Sequence, residues 1–186
     1  MRSAEGALTV GKSASVCAGY VVLESALHEV VGRAAVQPDD VRPFLAAAAM
    51  SHGWRASLWE TLLPVSPGLP LRRALLEEAM ERLHSPLAAV RGRNGPPPPL
   101  ADLLVELYRA LAAEYEGRAG SVSLVSDAPL ALTARRAAAD LRALLIEGEG
   151  LLAGVEGAEP TAGADRERSP KVLVEALIKG LTSPLH

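Results

Sequence analysis

Six positions near the N-terminus constrain this chain more than any others. Val16, Tyr20, Leu23, Leu27, Val30 and Ala34 follow one another at steps of four, three, four, three and four residues. That is an apolar seam at helical period. It predicts a helix over about 13–35 that must bury one face against a partner helix. A second helix is predicted over about 41–63, with Pro43 tolerated in the first turn, where its missing N–H costs nothing. A third, over about 100–118, carries Leu100, Leu103, Leu107 and Leu111, and a fourth, over about 129–153, carries Leu130, Ala134, Ala137 and Leu141. Composition points the same way. Hydrophobic residues make up 49% of the 186 positions but aromatics only 3%, so Ala, Leu and Val must fill the core. Strands favour β-branched and aromatic residues, so the predicted fold class is all-α.

The connections divide the chain further. "QPDD" breaks the first helix, and Asp39 or Asp40 is placed to cap the second. Gly53 inside the second helix is unfavourable by about 1 kcal/mol relative to Ala, which points to a close approach there. Pro64 ends that helix. The connection over 64–99 holds a short amphipathic helix, "LRRALLEEAMERLH", which Ser85 and Pro86 are expected to terminate. It then runs into "RGRNGPPPP", read as a stiff extended stretch. "SVSLV" is read as a loop or helix lead-in, because no second strand is at hand to pair with it. "GVEGAEPTAGADRERSP" has the composition of a flexible linker, and the amphipathic "KVLVEALIKGL" either docks back or binds a partner. The predicted division is a helical bundle over 1–154, then a linker and short C-terminal helix over 155–186.

Several function classes lose support at this stage. The net charge is −3 and acids and bases are mixed, with no basic stripe for a phosphate backbone, so no nucleic acid is expected as partner. Cys17 is the sole cysteine, which excludes an intramolecular disulfide and suits a small core hydrophobe. The N-terminus lacks a continuous apolar signal region, and no apolar run is read as approaching the roughly 18 residues of a membrane span. The expectation is a cytoplasmic protein with no membrane partner, and the abundance of Ala, Arg, Gly and Pro fits a GC-rich bacterial genome. No phosphate-binding loop, dinucleotide fingerprint or nucleophile elbow is present.

Two long helices, a long connection and two more long helices make an order that resembles the ferritin-like superfamily. Those proteins are four-helix bundles with one long crossover, here between helices 2 and 3 and containing a short extra helix. The resemblance implies a carboxylate metal site, with a Glu from each of two helices and a Glu-x-x-His pair from each of the others. On this chain it implies Glu24, His52, Glu106 (with Glu114 competing) and Asp140 as metal ligands, and iron or manganese as the cofactor. Ala49 stands where the glutamate paired with His52 would be, and Ala143 where the histidine paired with Asp140 would be. Three carboxylates and one imidazole hold a pair of irons poorly. The expected function is therefore a ferritin-like bundle that has lost the di-iron site, carries no cofactor and serves as a binding or protein-interaction module. The alternative is a metal-dependent oxidoreductase, mononuclear or altered di-iron. The partners expected are a second copy, through a helix face, and a small apolar ligand in the bundle.

Each candidate ligand also has a plainer reading. Glu24 can pair with His28 at i+4, Glu106 with Arg109 at i+3 and Asp140 with Arg136 at i−4, all as surface pairs. His52 shares a face with Ala56, Trp59 and Leu63, where a histidine is commonly a hydrogen-bonded core residue. Trp54 and Trp59 lie five apart, about 140° around a helix, so they serve different faces. Trp59 is the core candidate, and Trp54 is expected to face the crossover or a dimer partner.

Overall fold

A computed structural model describes residues 10–36, 41–65, 72–91, 97–122, 127–155 and 170–182. Among the described residues every regular element is a helix: α1 (Val10–Ala34), α2 (Arg42–Thr61), α3 (Arg72–Arg91), α4 (Pro97–Ser121), α5 (Ala128–Val155) and α6 (Pro170–Thr182). The all-α reading stands, with six helices.

Contacts between named residues give the directions. Tyr20 meets Trp59, Glu24 meets Arg55 and Gly32 approaches Ala49, so α1 and α2 are antiparallel. Arg109 pairs with Glu149 and Glu116 with Arg142, so α4 and α5 are antiparallel as well. His52 reaches Tyr108 and Trp59 reaches Tyr115, which makes α2 and α4 parallel. A parallel return requires a connection that travels the length of the bundle. At 20 residues, α3 spans about 30 Å and supplies it.

This crossover helix is longer than the sequence suggested. Pro86 was expected to end it, yet α3 runs through Pro86 to Arg91. The reason lies in its buried stripe: Leu75, Ala79, Leu83, Leu87 and Val90 continue at helical period on both sides of the proline. Packing of that stripe along α1 outweighs the ~3 kcal/mol or more that an interior proline costs. Likewise Pro97, Pro98 and Pro99, expected in an extended stretch, form the first turn of α4. A fixed φ near −65° and an absent N–H both suit that position. In the "SVSLV" segment, Ser121 closes α4 and Val122 is a bend, while residues 123–126 lie outside the described residues. So do 1–9, and 156–169 of the expected linker.

The last helix, α6, packs against α3 and α4 and touches α1. Leu173, Val174, Leu177 and Leu181 are buried in the same core as the other helices. Two glycines allow the approach. A β-carbon at Gly180 would stand 2.9 Å from Leu83 Cδ2, and one at Gly19 would stand 3.2 Å from Leu181 Cδ2.

By length and composition, α1 would also pass as a membrane span, which the sequence reading did not anticipate; 72% of its most apolar window is buried inside the protein. Its apolar surface packs on α2 and α3, as in the core helix of a bundle.

Candidate functional site

The seam of α1 that predicts a helix also carries a charge into the core. Glu24 lies one residue beyond Leu23 and is fully buried, as are His52 and Arg55 of α2. The spacing of α2 explains the second pair. Residues three apart share a helix face, so His52 and Arg55 both turn toward α1, with Trp59 one turn further along. Tyr108 and Tyr115, also fully buried, come from α4. Aromatics are scarce in this chain, yet all three tyrosines and Trp59 gather here: Tyr20, Tyr115 and Trp59 have mutual ring-centroid distances of 4.6 to 5.2 Å.

The centre of this cluster is the guanidinium of Arg55. Its Nε donates to Glu24 Oε1 at 3.0 Å and its Nη1 to Asp140 Oδ2 at 3.1 Å, while Nη2 lies 2.8 Å from His52 Nδ1. Glu24 Oε1 also accepts the Tyr115 hydroxyl at 2.6 Å, and Oε2 lies 2.6 Å from His52 Nδ1. His52 Nε2 is 2.9 Å from the Tyr108 hydroxyl.

The proton on His52 follows from these contacts. A guanidinium only donates and an ionised carboxylate only accepts, so Nδ1 can serve one of its two neighbours. The 2.6 Å approach to Glu24 selects Nδ1–H donating to the carboxylate. Nε2 then accepts the Tyr108 O–H, and the Arg55 Nη2 approach to Nδ1 is a packing contact. Burial, with Arg55 and His28 adding to it and Glu24 opposing, pushes the imidazole below its ordinary pKa. The Glu24–His52 contact is therefore a hydrogen bond from a neutral ring to a carboxylate, not an ion pair.

Glu24 is ionised. Burial by itself would raise its carboxyl, but Arg55, His52 and the hydrogen bonds from His52 and Tyr115 outweigh it and hold the group at about 2. A carboxylate that weakly basic, with both oxygens occupied, is a poor general base. Burial, opposed by Arg55 and reinforced by Glu24, pushes the Tyr108 phenol upward. For Tyr115 burial and Glu24 act together to the same end. Both phenols stay protonated and act as donors. Cys17 is buried, and its thiol is pushed up to about 12, mainly by that burial.

Of the four residues singled out as ligands, the structure brings three together and leaves one apart. Glu24, His52 and Asp140 converge on Arg55. Glu106 lies on the outside of α4, 45% exposed, and pairs with Arg109. Its competitor Glu114 accepts from Tyr20 and Arg118, away from Arg55. The surface pairing of Glu24 with His28 is not seen; His28 Nδ1 donates to the Ala49 carbonyl at 2.8 Å. The His28 ring fills the space beside Gly53, where a β-carbon would stand 3.1 Å from it, which accounts for the glycine within α2. Arg136 does not pair with Asp140. It lies over the Trp54 ring, 4.4 Å from the centroid, so Trp54 faces α5 and not the crossover. Ala143 is exposed on the outer side of α5, so a ligand at that position would not reach the cluster.

A resident metal ion does not fit these residues. Coordination needs nitrogen and oxygen donors about 2.0–2.2 Å from one point. Here the donors surround three different guanidinium nitrogens at 2.8 to 3.1 Å, with a fixed positive charge between them. The Nδ1 lone pair is taken up by its proton. Among the described residues, no group of three or more His, Cys, Asp or Glu side chains is arranged to hold a metal.

Sequence reasoning missed Arg55, Tyr108 and Tyr115. The signal was present: Arg55 falls on the same face of α2 as His52, Ala56 and Trp59, and a charge on an apolar face demands a buried partner.

No protein-family model, curated protein or solved structure matches the chain.

Proposed function

We propose that this chain is a ferritin-like bundle without a metal site, used as a binding or protein-interaction module. The observation that carries the reading is the Arg55 guanidinium, hydrogen-bonded to Glu24 and Asp140 and seated against His52, at the place where such a bundle would hold its metal. The parallel relation of α2 and α4, with α3 as crossover, supports the ferritin-like assignment. The interior at that level is taken up by Trp59, Tyr20, Tyr108, Tyr115 and Arg55, which favours the surface as the binding element.

On the outer side of α5, Leu132, Ala139, Ala143 and Ile146 form an exposed stripe at helical period, and α2 exposes Met50 and Trp54. This apolar surface supports self-association through a helix face. Two measurements test the proposal. Metal analysis of the purified wild-type protein is expected to find no stoichiometric iron or manganese; one or two equivalents that disappear in His52→Ala would overturn it. Light scattering is expected to show a dimer that Met50→Lys with Ile146→Lys converts to monomer, and a wild-type monomer at all concentrations would remove the helix-face contact.

A further inference from the structure

The three nitrogens of one planar group each face a different neighbour: Nε faces Glu24, Nη1 faces Asp140 and Nη2 faces His52. We infer that Glu24, Asp140 and His52, framed by Tyr108 and Tyr115, form a slot for a planar guanidinium-type monocation, occupied in this chain by the tethered side chain of Arg55. The inference rests on the metal-free reading.

Charge and shape both support it. Two carboxylates flank the group and the imidazole is neutral, so a single delocalised positive charge balances one of the two negatives and leaves the other to the solvent side. Glu24 is fully buried, whereas the Asp140 side chain is 39% exposed. A compact ammonium or a divalent ion would sit near one carboxylate. A planar fork reaches both carboxylates at once, Nε to Glu24 and Nη1 to Asp140, while Nη2 packs against the protonated Nδ1 edge of His52. The tether is short, because Arg55 stands one helical turn from His52 on the same face of α2. Asp140 is the part-exposed member of the cluster, so it marks the side from which a solute would enter once the arginine side chain is gone.

The test is chemical rescue. Thermal unfolding is followed for wild type, Arg55→Ala and the double variant Glu24→Gln/Arg55→Ala, at constant ionic strength, with millimolar ethylguanidinium chloride, with sodium chloride as control, and with Mn²⁺. Truncating one partner of a buried charge pair should lower the Tm of Arg55→Ala by about 10 °C. Ethylguanidinium is expected to recover a good part of that shift, saturably, in Arg55→Ala only. No saturable recovery in a folded Arg55→Ala overturns the inference. So does stronger rescue by Mn²⁺, which would make the slot a metal donor set instead. Should Arg55→Ala fail to fold, Arg55→Lys is compared with Arg55→Met. A cation slot makes the lysine variant the more stable of the two, and the reverse order shows that Arg55 only fills space. Stoichiometric metal in the wild-type protein would overturn the function proposed above whatever the variants do, so the two failures are separable.

Discussion

Arg55 Nε lies 3.0 Å from Glu24 Oε1, and neither side chain has any exposed surface. A buried pair of this kind gives little net stability over a well-packed apolar pair, but it punishes the loss of one partner.

Glu24→Gln should therefore destabilise the fold by about 3–5 kcal/mol, because Arg55 stays buried with its main counter-charge gone. Asp140→Asn touches the same guanidinium from a partly exposed position, where solvent screens the charge, and should cost no more than about 1 kcal/mol. Denaturant unfolding of the two variants measures the contrast. Equal losses would show that the charge on Arg55 is not balanced chiefly by Glu24.

Stability should fall on acidification in two stages. His52 has a folded pKa below its ordinary 6.5, so its neutral form stabilises the fold above that value and the contribution is lost as pH falls past it. Glu24 is held at about 2 against an ordinary 4.5, so its contribution is complete above 4.5 and lost between there and about 2. Its size is about 3 kcal/mol. Unfolding free energy measured from pH 7 to pH 3 should decline throughout, and the lower stage should be absent in Glu24→Gln.

Tyr115→Phe and Tyr108→Phe should separate as well. Tyr115 donates to a charged carboxylate, a bond worth roughly 1.5–3 kcal/mol, while Tyr108 donates to a neutral ring for about 1 kcal/mol. Because the Tyr115 bond also helps to keep Glu24 ionised, Tyr115→Phe should move the acid limb of the stability curve to higher pH. Tyr108→Phe should leave that limb in place.

Replacing Gly180 with a large residue should release α6. A β-carbon there would stand 2.9 Å from Leu83 Cδ2 and 3.5 Å from the Arg82 carbonyl oxygen, so a larger side chain should push α6 away from α3. Gly180→Leu should raise hydrogen exchange across 170–182 and leave α1 and α2 protected. Gly180→Ala should cost much less, because the end of the Leu83 side chain can shift and the helix gains about 1 kcal/mol of intrinsic propensity.

Much of the helical framework was legible in the residues alone. The seam of α1, the burial of Trp59 and the close approach at Gly53 all follow from period and spacing, which are local properties. The lengths of α3 and α4 were not. Pro86 and Pro97 to Pro99 read as breaks in one dimension, and only burial of Leu87 and Val90 against α1, or a place in a helix's first turn, lets the helix include them. The site divides in the same way. The resemblance to the ferritin-like superfamily is what singled out Glu24, His52 and Asp140 as ligands. It equally offered Glu106, and it attached no meaning to Arg55. Which charges meet depends on the rotation of four helices about their axes. That rotation is decided by the packing of all the apolar stripes together, and it turns Arg55 inward to Glu24 and Glu106 outward to Arg109.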